Sequence, residues 1–182
     1  MKKFSILIVF VGLLSFPLMA QDYPKAEVFG GYQYLHLGGS GTDVNFNGWN
    51  ASLTGNFNSW FGVTADFSGS YKTINVGGVN VDTKIYSYTG GPVVSLNSRG
   101  KVNPFVHALF GGAHVSGSAS VEGASGSASD NGFTMMFGGG VDVKVNRALA
   151  VRLVQADWVS YRFSGVSENH NVRVSTGIVL RF

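Results

Sequence analysis

From Lys25 onward the chain repeats one pattern eight times: apolar and polar side chains alternate with a period of two. The runs cover residues 25–38, 45–57, 61–73, 83–96, 102–116, 132–145, 149–163 and 168–182. Successive side chains of a strand point to opposite faces, so each run reads as a strand with one greasy face and one polar face. In the last run Val172, Val174, Thr176, Ile178, Leu180 and Phe182 share one phase, and Arg173, Ser175, Gly177, Val179 and Arg181 the other. In the second, Trp49, Ala51, Leu53, Gly55 and Phe57 oppose Gly48, Asn50, Ser52, Thr54 and Asn56. Alternation alone fits a soluble sandwich as well as a barrel in lipid, because both hide one face of each strand.

The amino terminus separates the two. Lys2 and Lys3 precede a 13-residue apolar run, Phe4 to Phe16 (FSILIVFVGLLSF), and Ala20 stands before the polar Gln21-Asp22. A basic start, a short apolar stretch and a small residue at the cut make a secretory signal peptide over 1–20. The run is too short for a spanning helix, which needs roughly 17 residues or more. The expected mature chain, 21–182, is one domain. Its formal charge falls from +3 to +1 with the loss of the two lysines, so the basic balance implies no nucleic-acid partner. With no cysteine, neither a disulfide framework nor a lipoprotein anchor is available. Glycine stands at 26 of 182 residues, roughly twice its usual share, and is dispersed among aromatic and β-branched residues rather than gathered in one tract.

The connections alternate in character. Asn58-Ser59-Trp60, Asn97 to Lys101 and Asn146-Arg147-Ala148 are tight. Gly39 to Val44, Ile74 to Asp82, Gly117 to Asn131 and Ser164 to Ser167 are longer, and the third (GSASVEGASGSASDN) reads as a solvated flexible cap without an anchoring hot spot. Tight turns on one side, longer loops on the other and an even strand number predict an all-β, eight-stranded antiparallel up-and-down transmembrane barrel, with both termini on the periplasmic side. The seventh run changes phase: Leu149, Val151 and Leu153 against Val154, Ala156 and Trp158. A β-bulge at Leu153-Val154 restores one inward phase through Arg152, Gln155 and Asp157.

The inward phase collects Glu27, Asp66, Asp142 and Asp157 with Lys144, Arg152, Arg173 and Arg181. An eight-stranded barrel is just wide enough for side chains to fill, and unpaired charges inside it cost several kcal/mol. A three-residue turn at 146–148 sets Asp142 opposite Arg152. A last loop centred on Gly165 sets Asp157 opposite Arg173, and closure brings Glu27 near Arg181. The expectation is a lumenal ion-pair ladder, acting as a polar plug or as an ion gate. His107 is expected near Asp142 in height.

The stretches AEVFGGYQYLHL (26–37), FNGWNASLTGNFNSWFGVTADFSGSY (46–71), GGPVVSL (90–96), NPFVHALFGGAH (103–114) and VQADW (154–158), with the last strand ending in Phe182, carry a family resemblance. The chain resembles the small eight-stranded outer-membrane barrels, meaning the transmembrane domain of outer-membrane protein A and its short relatives. The resemblance covers nearly all of the mature chain, and its motifs mark architecture rather than one activity. It implies an outer membrane of the Gram-negative type, outer-membrane lipid and lipopolysaccharide as surroundings, a monomer, and Phe182 as the signal that barrel-assembly machinery reads. The chain is expected to depart from the longer relatives in ending at Phe182, without an appended peptidoglycan-binding domain.

Some small outer-membrane barrels are enzymes. His114-Val115-Ser116 with Glu122 has the His-x-Ser spacing of a lipid A deacylase, but two such residues on a strand are common, and the expectation is no enzyme. The four histidines, His36, His107, His114 and His170, are dispersed and form no metal motif. Gly138-Gly139-Gly140 leads into a strand and not a helix, so it is no phosphate loop, and no cofactor is expected. Trp49, Trp158, Tyr34, Tyr71, Tyr86, Tyr88 and Tyr161 fit membrane-interface girdles. Lys72, Lys84 and Arg162 flank the outer loops, where snorkelling explains them. The reading is a barrel with a structural or surface-interaction role, through envelope integrity or adhesive loops. A small porin-like ion channel and a lipid-modifying enzyme are the alternatives.

Overall fold

A computed structural model of the chain describes residues 23–38, 43–76, 79–121, 124–163 and 166–182. The expected leader, residues 1–20, lies outside them. Eight strands follow in order: β1 (Ala26–Gly38), β2 (Val44–Asn56), β3 (Phe61–Val76), β4 (Val79–Ser95), β5 (Val102–Val121), β6 (Ala124–Lys144), β7 (Leu149–Phe163) and β8 (Val166–Arg181). Each pairs antiparallel with the next, and β1 pairs with β8, closing the barrel. Closure leaves no sheet edge within the cylinder. Among the described residues no helix is long and apolar enough to cross a membrane.

Parity orders the wall. Leu53, Val63, Phe67, Val106, Phe110, Ile178 and Leu180 point outward and are exposed, whereas Asn50, Thr64, Asp66, Thr134 and Arg173 point inward and are buried. Large apolar groups outside and polar groups inside invert a soluble protein, and lipid is the solvent that makes this arrangement favourable. In β7, Val141 faces Val154 while Asp142 faces Arg152, which leaves Leu153 as the extra residue of a bulge. Leu153 and Val154 both point outward, and Arg152 and Gln155 are both buried. A second irregularity, between Val159 and Tyr161 against β8, has no counterpart in the sequence pattern.

Two expected loops are strand. Ile74 to Asp82 carries the β3–β4 ladder up to the rung Val76–Val79, and Gly117 to Asn131 carries the β5–β6 ladder up to Val121–Ala124. Residues 117–131 show no greasy phase, whereas in 74–82 Ile74, Val76, Val79 and Val81 do alternate with polar residues, on either side of Gly77-Gly78, a pair that reads as a turn. The backbone hydrogen-bonds across the hairpin all the same, and no proline interrupts it. The tight turns behave as expected: the Val145 amide donates to the Leu149 carbonyl at 2.9 Å, closing the 146–148 turn. At the same end the Lys25 amide donates to the Phe182 carbonyl at 2.6 Å, tying the two termini together.

Candidate functional site

The lumen is filled in layers. Starting from the end with the tight turns, Glu27 of β1 lies opposite Arg181 of β8, and Arg181 Nε donates to Glu27 Oε1 at 2.8 Å. Lys144 departs from the expected ladder. Its ammonium donates to the Ser98 carbonyl in the 96–101 turn at 2.6 Å, and no ion pair among the described residues includes it. Position explains this, since Lys144 ends β6 and its long side chain reaches the rim.

One layer further in, Arg152 makes a two-pronged contact with Asp142, Nε to Oδ1 at 2.8 Å and Nη2 to Oδ2 at 3.0 Å. The guanidinium lies between two rings, 4.3 Å from the centroids of Phe29 and of Phe105. Desolvated cation–π contacts of this kind contribute about 2 kcal/mol each. Nη1 of Arg152 donates to Gln155 Oε1 at 2.7 Å, and Gln155 Nε2 donates to Asp157 Oδ2 at 2.8 Å, so the layers are linked.

At mid-barrel Arg173 joins two strands that are not neighbours. Its Nε donates to Asp157 Oδ2 at 2.8 Å, and its Nη1 to Asp66 Oδ1 at 2.7 Å across the lumen. Asn50 Nδ2 donates to the other Asp66 oxygen at 2.9 Å. His107 belongs here and not beside Asp142: its Nε2 is 2.7 Å from Asp157 Oδ1. The glycines account for that reach. His107, Gly138 and Asp157 form one row across β5, β6 and β7, and a Cβ on Gly138 would sit 2.2 Å from Asp157 Oδ1. Gly140 likewise leaves room for the Phe105 ring, 2.9 Å from its missing Cβ. Gly138 and Gly140 therefore clear the lumen for the charged network. Beside the network is a cavity of about 20 Å³, lined in part by Glu27, Ser52, Asp66, Asn103, Asp142 and Arg152, with room for one water.

Beyond the charges, toward the long hairpins, the inward phase turns apolar. Leu35, Phe46, Ile85, Leu109, Ala113, Met136, Val159 and Tyr161 pack into one buried cluster. The parity reading concentrated on charge and missed this layer, although Leu35, Leu109 and Met136 hold the same phase as the charged groups.

On the outer surface Trp49 Nε1 donates to the Tyr71 hydroxyl at 3.1 Å, and the Tyr71 and Tyr86 rings meet edge-on at 5.9 Å. Phe110, Phe137 and Trp158 form a second group of touching rings on the wall. His114 and Ser116 stand on the outward phase of β5. The His114 Nδ1 is 2.8 Å from Asn131 Oδ1, and Glu122 lies outside the described residues. Among the described residues no group of His, Asp and Glu is arranged to hold a metal ion.

β5 and β6 are 20 and 21 residues long, whereas a bilayer needs about 9–11. The β2–β3 ladder stops at Asn47–Tyr71 and the β6–β7 ladder at Phe133–Arg162, while β3–β4, β4–β5 and β5–β6 continue. A four-stranded sheet therefore stands above the cylinder. Among the described residues, the outer side of Ala124–Ser129 in β6 adds no further β-ladder. Those six residues make about 20 Å of strand edge.

The family model for the outer membrane protein beta-barrel domain matches residues 6–180. The chain belongs to that family. The end with the tight turns is accordingly the periplasmic end and the protruding sheet is extracellular. Among solved structures, the barrel is similar to Ail, the attachment invasion locus protein of Yersinia pestis, crystallised with the heparin analogue sucrose octasulfate. Identity is 21%, with 88% of this chain and 99% of that chain covered and a TM-score of 0.68. Neisserial surface protein A matches at 14% identity over 87% of this chain and 97% of its own, with a TM-score of 0.64. OprG of Pseudomonas aeruginosa matches at 9% identity over 88% and 96%, with a TM-score of 0.52. These likenesses establish the shared barrel fold. Comparison with curated protein sequences gives no match.

Proposed function

We propose that this outer-membrane barrel is a surface-interaction protein, a filled cylinder that carries its working surface on the extracellular sheet. The observation behind this reading is the continuation of β3–β6 beyond the cylinder with, among the described residues, no ladder on the outer side of Ala124–Ser129. A strand edge offers a row of main-chain donors and acceptors, and an extended segment of another protein can add to it. The small residues along GSAS (126–129) set no side-chain pocket, so recognition is by backbone and tolerant of sequence. The likeness to a protein named for attachment and invasion supports the same direction. The export signal over 1–20, lipopolysaccharide around the wall and recognition of Phe182 during assembly belong to this proposal.

Cells carrying the intact barrel should adhere to cultured epithelial cells and to matrix-coated surfaces better than a deletion strain. Ser127→Pro and Ala128→Pro test the edge, since one of the two amides is directed away from β5. At that position proline removes a donor from the open side without touching the hairpin ladder. The expected result is loss of adhesion in one of the two, with the barrel still folded by its heat-dependent gel migration. Adhesion equal in wild type, deletion and both proline variants would overturn the proposal.

A further inference from the structure

We propose that the seal against permeation is the apolar layer around Leu109 and Met136, and that the lumen beneath it is a blind polar vestibule entered from the periplasm. The two kinds of lumen layer differ in how they treat water. Around the ion pairs the wall offers Ser52, Thr54, Thr64 and Asn103, and the cavity beside Asp142 and Arg152 reaches from Glu27 near the periplasmic rim to Asp66 at mid-barrel. Such a wall can be wetted, and rearranged ion pairs can exchange partners with water. The layer above is mostly apolar, with Leu109, Met136 and Val159 each 0% exposed and Leu35 1%, and its polar groups are spent on one another: Gln33 Nε2 donates to Ser70 Oγ at 2.6 Å and the Tyr161 hydroxyl lies 3.5 Å from Ser87 Oγ. An apolar constriction blocks ions by excluding water.

Circumference decides which apolar cluster seals. The upper one draws on β1, β2, β4, β5, β6 and β7 and so spans the lumen. The lower one, Phe29, Ala150 and Val179, comes from the adjacent strands β1, β7 and β8 and covers one wall only. At that level the wall continues from Phe29 through Ser52 and Thr54 of β2 and Thr64 of β3, with Asn103 of β5 across the lumen, which leaves a polar way past it. The ion pairs therefore hold strands in place, and the apolar layer stops traffic.

The test is conductance in planar bilayers. Leu109→Ser with Met136→Ser should give current steps that the unaltered barrel lacks. Asp142→Asn with Arg152→Gln should give none. Steps from the ion-pair variant, or none from the apolar-layer variant once folding is shown, would overturn the proposal. A second measurement does not depend on those cores folding. The chain has no cysteine, so Ser52→Cys provides a single reporter in the vestibule. In oriented vesicles a small charged thiol reagent should modify it from the periplasmic face alone. Equal modification from both faces, or modification from the outer face only, would refute a seal above Ser52, and no modification from either would refute the vestibule.

Discussion

Replacing Arg173 with methionine removes one cation and strands two carboxylates. In the folded barrel Arg173 is 1% exposed, with Asp66 at 2.7 Å and Asp157 at 2.8 Å. Asp157 retains His107 and Gln155, but Asp66 is left with Asn50 alone. Breaking a buried pair by deleting one partner costs about 3–5 kcal/mol, because the surviving charge remains desolvated. With a urea slope of about 2 kcal/mol per molar, the unfolding midpoint should fall by about 1.5–2.5 M. Fluorescence of Trp49, Trp60 and Trp158 follows the transition in lipid vesicles. Adding Asp66→Asn to Arg173→Met removes the worse-placed charge and should recover part of the loss. An Arg173→Met barrel within about 1 kcal/mol of the parent, or no recovery on adding Asp66→Asn, would refute the claim that these charges depend on one another.

Gly138→Ala places a Cβ 2.2 Å from Asp157 Oδ1 and 2.3 Å from the Ala156 carbonyl, and should cost roughly 1–3 kcal/mol by overpacking. Gly55→Ala, with nothing within 4 Å of the new Cβ, is the control and should be neutral or stabilising in the same urea titration. Deleting Leu153 should leave the barrel able to fold, since it removes the extra residue of the bulge and keeps Arg152 and Gln155 inward. Deleting Ala156 should abolish the heat-dependent gel shift, because it turns half of β7 inside out. Lys144→Met should lose about 1 kcal/mol, the value of one partly solvated hydrogen bond to the Ser98 carbonyl, far less than Arg173→Met.

What could be read from the chain follows distance along it. Strand number, closure and most of the facing rest on a period-two pattern that lipid outside and packing inside both enforce, and they are legible; Tyr161, expected in the interface girdle, is instead buried in the lumenal cluster beside the second irregularity of β7. Asp142 opposite Arg152 follows by counting across a three-residue turn, and Asp157 opposite Arg173 by counting across the last loop. The contact between Asp66 and Arg173 spans 107 residues and non-adjacent strands, so no count along a hairpin reaches it. His107 was placed beside the wrong acid because its path to Asp157 depends on a missing side chain at Gly138. The β5–β6 hairpin top was read as a loop because its serine, glycine and alanine run has no alternation to follow, and the β3–β4 top because Gly77-Gly78 and the asparagines outweighed the short alternation of Ile74, Val76, Val79 and Val81. The apolar layer was visible in Leu35, Leu109, Met136 and Val159 but hidden by attention to charge.

The long β5–β6 hairpin also bears on how the protein gets to its place. Its tip must travel across the bilayer before the cylinder closes behind it. From Gly117 to Ser129 that tip is serine, glycine, alanine and one valine, with Glu122 its single formal charge. A thread so thin and nearly neutral meets little resistance on the way through, so the plainness that gives the sheet no side-chain grip on the outside also makes it easy to deliver there.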